Sequence, residues 1–212
     1  MQRRRNPVRK STTPGRPWWG PASRAVDGLI NALKWPAALL AAVAFPFSVI
    51  ASLRLAGRVW MNPSPVMAFT LGLIAYWLAW HFRHRLFGTF FSTLEHELTH
   101  ALFALVTLHP VQQLKSTFTA GGHVKYQTYG SSGNWLITIS PYFFPTLSLV
   151  FLRLLAFVPS SYRWWAEWLL GALTAYHITS TMRETHVGQT DLQKVGFLFS
   201  LLFLPAANVI AF

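Results

Sequence analysis

The run Glu95-His96-Glu97-Leu98-Thr99-His100 brings two imidazoles and two carboxylates together in an otherwise apolar stretch. On a helix, residues i and i+4 share a face, so His96 and His100 can offer ring nitrogens to one Zn²⁺. Glu97 adjoins them and is the candidate general base, placed to take a proton from a water molecule that such an ion polarises. A catalytic zinc uses three protein ligands and keeps one position open, so a third ligand is needed. The chain has no cysteine, which leaves His, Asp or Glu to supply it.

Two aspartates exist, and Asp27 precedes the first long apolar run, so Asp191 in Gly188-Gln189-Thr190-Asp191-Leu192 is the favoured third ligand. The alternative role for Asp191 is to cap a helix, since aspartate favours an N-terminus. His177, in Ala175-Tyr176-His177-Ile178-Thr179-Ser180, competes as third ligand; otherwise it is a histidine hydrogen-bonded within helix packing. Glu184 and His186 either orient ligands or substrate or belong to a solvated loop. Glu95 either supports the ligands or faces another helix. Ser92, Thr93 and Thr99 either line a polar cleft or serve helix packing. His81, His84 and His109 flank helix ends and read as interfacial, while His123 follows a glycine turn and reaches either the site or the surface.

These residues need elements to hold them. The chain has 212 residues, of which 52% are hydrophobic and 11% charged, too few charges to coat a water-facing domain of this length. Long apolar stretches run Trp35–Leu53, Pro65–Trp80, Leu86–Leu108, Trp135–Val158, Trp164–Thr181 and Val195–Phe212, each near the ~20 residues of a spanning helix. The expected fold is therefore an all-α membrane protein, a bundle of about six transmembrane helices, with the motif in the third. Ionisable groups are costly inside such a helix, so Glu95 and Glu97 there imply a functional site.

Residues 1–28 read as a basic, disordered N-terminal tail and 29–212 as the polytopic domain. The tail holds much of the formal net charge of +12 and lacks an apolar face. Beside a hydrophobic segment it fits anionic lipid headgroups rather than nucleic acid. Val111 to Tyr129 breaks the apolar pattern. Its Thr, Gln and Tyr content around Gly121-Gly122 predicts a β-hairpin, with Leu114–Phe118 and Val124–Thr128 as strands about a two-residue turn.

With Glu95-His96-Glu97-Leu98-Thr99-His100-Ala101-Leu102 in a membrane helix and a glycine hairpin after it, the chain resembles the site-2 protease family of intramembrane zinc metalloproteases, as a divergent member. The resemblance implies that His96, His100 and Asp191 are zinc ligands and Glu97 is the general base. It also implies that the hairpin, through Gly121, Gly122 and His123, receives an unwound substrate. Gln189-Thr190-Asp191-Leu192 departs from the Asn-Pro…Asp-Gly setting of the family's aspartate. The implied function is hydrolysis of a peptide bond in or near a transmembrane segment. A membrane-protein substrate and the lipid bilayer are the expected partners, nucleic acid is not, and the location is the bacterial cytoplasmic membrane, multi-pass. The rival readings are a catalytically inactive protease-like membrane scaffold and a metal-ion transporter.

Overall fold

Proline and glycine decide where the apolar runs break. The computed structural model describes residues 19–83, 89–117, 121–130 and 133–211. In chain order its elements are α1 (Gly20–Ala32), α2 (Lys34–Met61), α3 (Met67–Arg83), α4 (Thr89–Val106), β1 (Val111–Ser116), β2 (Gly122–Tyr126), α5 (Trp135–Ile139), α6 (Thr146–Leu154), α7 (Arg163–Glu184), α8 (Thr190–Val195) and α9 (Phe197–Ala211).

The expected bundle of about six transmembrane helices is overturned by these bounds. Among the described residues one helix, α2, is long and apolar enough to cross a membrane. The count becomes two only if the pair Trp135–Tyr142 and Thr146–Phe157, bent by 75°, is one broken span. Pro145 lies in that break and Pro141 just before it: neither can donate a backbone hydrogen bond, and a 3₁₀ turn at Ser140–Tyr142 replaces continuous helix. The stretch Val195–Phe212 is cut at Gly196, whose φ of +91° is a conformation that disfavours a side chain, leaving 15 residues in α9. The helix α3 has 17 residues, and neither α4 nor α7 combines the length and apolarity that crossing requires. A multi-pass protein of the bacterial cytoplasmic membrane, with the lipid bilayer as partner, depends on the six spans and is corrected with them.

Two helix pairs frame the molecule. The helix α2 runs along α9 and leaves Leu40 and Phe47 exposed on its other face. The helices α3 and α7 pack backbone to backbone. A Cβ added at Gly72 would lie 1.8 Å from the Trp168 carbonyl oxygen, and one at Gly171 would lie 1.9 Å from that of Phe69. A core of Ala38, Trp135, Ile139, Tyr142, Leu192, Val195, Phe199 and Leu204 joins α2, α5, α8 and α9.

Of the segment expected to be a tail, residues 1–18 lie outside the described residues. From Gly20 the chain is helical, and Ser23 and Asp27 of α1 are buried. Their partner is His109, itself fully buried and not interfacial. His84 lies outside the described residues.

The strands β1 and β2 form a two-stranded antiparallel sheet, pairing Leu114 with Val124, Lys115 with His123 and Ser116 with Gly122. The paired segments begin earlier than Leu114–Phe118 and Val124–Thr128; residues 118–120, which hold the end of the first expected strand, lie outside the described residues, and the connection leads from Ser116 to Gly122. It is closed by Thr117 N–H donating to the Gly121 carbonyl at 3.0 Å. Both strands pack on α4.

Candidate metal centre

The helix α4 puts His96 and His100 on one face, as a four-residue spacing must. Each ring is held by its Nδ1. That of His96 meets Glu184 Oε2 at 2.7 Å, and that of His100 meets the Ile137 carbonyl oxygen at 2.7 Å. The Nε2 atoms consequently point at each other, 3.1 Å apart. The Ile137 carbonyl is itself placed by Asn134, the N-cap of α5, whose side-chain oxygen accepts from Ile137 N–H at 3.1 Å.

Asp191 arrives from the other end of the chain. It occupies the first turn of α8 but is not its N-cap, which is Gln189. Leu192 and Val195 bury the apolar side of α8 in the core, which turns Asp191 toward α4. Lys194 Nζ donates to Asp191 Oδ1 at 3.1 Å. The second oxygen, Oδ2, lies 3.4 Å from His100 Nε2 and 3.8 Å from His96 Nε2.

His96, His100 and Asp191 thus form a group that can hold a metal ion. Four ligands set tetrahedrally at ordinary zinc–nitrogen and zinc–oxygen distances are about 3.3 Å from one another. The separations of 3.1, 3.4 and 3.8 Å fit that donor spacing. His177 is not in the group; its Nδ1 lies 3.9 Å from Glu95 Oε1, and Thr181 Oγ1 is 3.3 Å from its Nε2. Glu95 turns away from the ligands, its Oε1 accepting from Leu147 N–H at 3.2 Å. Thr99 is buried, with its Oγ1 bonded to the Glu95 carbonyl and to Thr146, and it lines a small cavity together with Ser92, His96 and Glu184.

Charge in the cluster is shared between imidazoles and carboxylates. Burial would pull the His96 imidazolium down, but hydrogen bonds to Asp191 and Glu184 outweigh it and push its pKa up to about 9. Burial would raise Asp191, yet His100 and His96 together hold its carboxyl well below the usual carboxylate range. Glu184 behaves likewise: burial opposes ionisation, and His96 and Ser92 restore it. Glu97 goes the other way. Burial raises it and the two histidines only partly offset that rise.

Gly122, at the start of β2, lies directly against Glu97. A Cβ there would come within 2.7 Å of Glu97 Cγ and of Thr93 Cγ2, so only glycine allows the strand this close. Gly121 closes the hairpin at φ +76°, and His123 is exposed but near enough for its charge to favour the ionised form of Glu97.

Two further side chains complete the cluster, one offered by the sequence as an alternative and one missed by it. Glu184 belongs to α7 and grips His96, whereas a solvated-loop role was the competing expectation; its place in the last turn of a long helix is the available signal. Tyr142 meets the His96 ring edge-on at 5.3 Å, and only its Ser140-Pro141 context marks it in the sequence. His186 is exposed and bonds locally to Gly188 N–H.

No protein-family model, curated protein or solved structure matches this chain. The resemblance to the site-2 proteases therefore rests on a short motif without the multi-span fold that gave it meaning, and it is overturned. With it go the zinc metallopeptidase assignment, the peptide bond in a transmembrane segment and the membrane-protein substrate. The membrane scaffold and the metal-ion transporter presuppose the same spans and go too. What the geometry carries is the coarser statement that His96, His100 and Asp191 can hold a metal ion.

Proposed function

We propose that the protein binds Zn²⁺ through His96, His100 and Asp191 and uses the centre to activate water, with Glu97 as general base. The observation that carries this reading is the convergence of His96 Nε2, His100 Nε2 and Asp191 Oδ2 within hydrogen-bond to ion-pair distance of one another. Two imidazoles and a carboxylate are a donor set suited to zinc, and three protein ligands leave a position open. An ion held there supplies electrophilic polarisation that brings the ionisation of water toward neutrality.

The chain's own groups do the rest. Glu97, raised by burial, is a stronger base than a solvated carboxylate and holds the abstracted proton beside the ligands. The imidazoles stay oriented because each Nδ1 is engaged elsewhere. Gly121, Gly122 and His123 are the hairpin residues on which a substrate would rest, a role supported by the close approach of Gly122 to Glu97, where a Cβ would come within 2.7 Å of Glu97 Cγ.

The test is Glu97→Gln, which keeps size and removes the base. Purified protein should bind about one Zn²⁺ per chain in both forms. Its hydrolysis of p-nitrophenyl acetate, a probe of water activation, should fall roughly 10²–10⁴-fold in the variant. No zinc uptake, or an unchanged rate in the variant, overturns the reading.

A further inference from the structure

We infer that Glu184 is the positioning residue of this centre: it fixes His96 so that Nε2 faces His100 and Asp191 before any metal arrives. The inference rests on the reading of the cluster as a metal site and adds a residue outside the ligand set. An imidazole whose Nδ1–H is donated must present Nε2 as its lone-pair nitrogen, so the partner of Nδ1 chooses both the tautomer and the ring's direction.

Glu184 can choose because it is not free to move. Its Oε2 takes the His96 contact at 2.7 Å. Its Oε1 accepts from Ser92 and, at 3.3 Å, from Ser180. Those two hydroxyl oxygens lie 2.8 Å apart, and Arg183 Nη2 donates to Ser92 Oγ at 3.3 Å. Ser92 comes from α4, one turn before His96, while Ser180 and Arg183 come from α7. The carboxylate is thus clamped by the two helices whose relation it sets.

An ordinary surface ion pair looks different. Arg163 and Glu167 on the same α7 meet at 3.2 Å with the arginine half exposed, and such pairs contribute little. Glu184 and His96 are 17% and 13% exposed, and their contact spans 88 residues of chain. The segment after α7 then delivers Asp191, so one stretch of chain carries both a ligand and the group that aims another ligand.

Co²⁺ titration of the full chain, followed by its visible d–d absorption, tests this on the native protein, Glu184→Ala, Glu184→Gln and the matched control Glu167→Gln. Loss of the orienting partner should weaken Co²⁺ binding ~10–100-fold in Glu184→Ala at unchanged stoichiometry. Glu184→Gln keeps an oxygen that accepts from Nδ1–H and should recover much of the loss with a native spectrum; Glu167→Gln should bind as native. Should Glu184→Ala fail to fold, the Gln variant alone still decides, because an altered spectrum contradicts a kept orientation. Native affinity in Glu184→Ala overturns the inference. So does a Gln variant no better than Ala with the metal-free melting temperature lowered equally in both, the signature of a merely structural role. A native chain that takes up no Co²⁺ overturns the metal reading itself, a result distinct from either.

Discussion

His109 and Asp27 meet at 3.1 Å with 0% and 2% of their side chains exposed, while His100 and Asp191 meet at 3.4 Å with 12% and 19% exposed. The deeper, closer pair is the one outside the candidate metal centre. Asp27 bonds His109 through Oδ2 and accepts from Asn134 Nδ2 through Oδ1 at 2.7 Å. His109 contacts Ser23 at Nε2 and Thr107 at Nδ1, so both nitrogens face protein partners. At the metal centre each Nδ1 is occupied while two Nε2 atoms and a carboxylate oxygen face one another. Residue type does not separate the two pairs; the direction in which donor capacity is left over does. The two regions are also linked, because Asn134 bonds Asp27 with its nitrogen and places Ile137, hence His100, with its oxygen.

The contrast breaks most sharply by deleting one member of each. His100→Ala should weaken Co²⁺ binding by more than the roughly 100-fold that loss of a ligand's hydrogen-bond partner costs. Asp27→Ala should leave affinity within about tenfold yet destabilise the fold by about 1–3 kcal/mol, because a buried histidine loses a hydrogen-bond partner. Titration and chemical denaturation on the same samples check both, and an Asp27→Ala variant that sheds the metal but keeps its stability would erase the distinction.

The next effect is of pH. In the metal-free chain His96 is raised from 6.5 to about 9, with burial opposing and Asp191 and Glu184 prevailing. Its stabilisation is therefore fully present below pH 6.5 and is lost as pH rises through about 9. A metal must displace that proton, so Co²⁺ affinity should climb about tenfold per pH unit between about pH 7 and about pH 9 and then level off. A flat profile across that window would show that no proton stands in the metal's place.

The smallest effect is steric. Gly122→Ala sets a methyl 2.7 Å from Glu97 Cγ and 2.8 Å from the Lys115 carbonyl oxygen. It should cost about 1–3 kcal/mol, read as a lower melting temperature, and slow ester hydrolysis while metal content holds. Unchanged stability would mean that the hairpin does not bear on the base.

What the sequence made legible was local. The spacing of His96 and His100 forces a shared face, the scarcity of acids singles out Asp191, and Gly121-Gly122 announces a hairpin. What it hid was continuity and distance. Apolar composition alone ran helices through Pro141, Pro145 and Gly196, where the backbone turns, and so multiplied spans. Asp27 lies 82 residues from His109 and Glu184 lies 88 from His96, separations at which no pattern in one chain reveals a partner.

The glycine contact between α3 and α7 makes α7 a lever. Gly171 and Gly72 form a fulcrum where neither helix can take even a methyl group. Glu184 lies thirteen residues beyond Gly171, an arm of about 20 Å at the rise of an α-helix. On an arm of that length a tilt of about 3° displaces the tip by about 1 Å, twice the roughly 0.5 Å within which a preorganised site must be held. The aim of His96 is thus set as much by two residues without side chains as by the carboxylate that touches it.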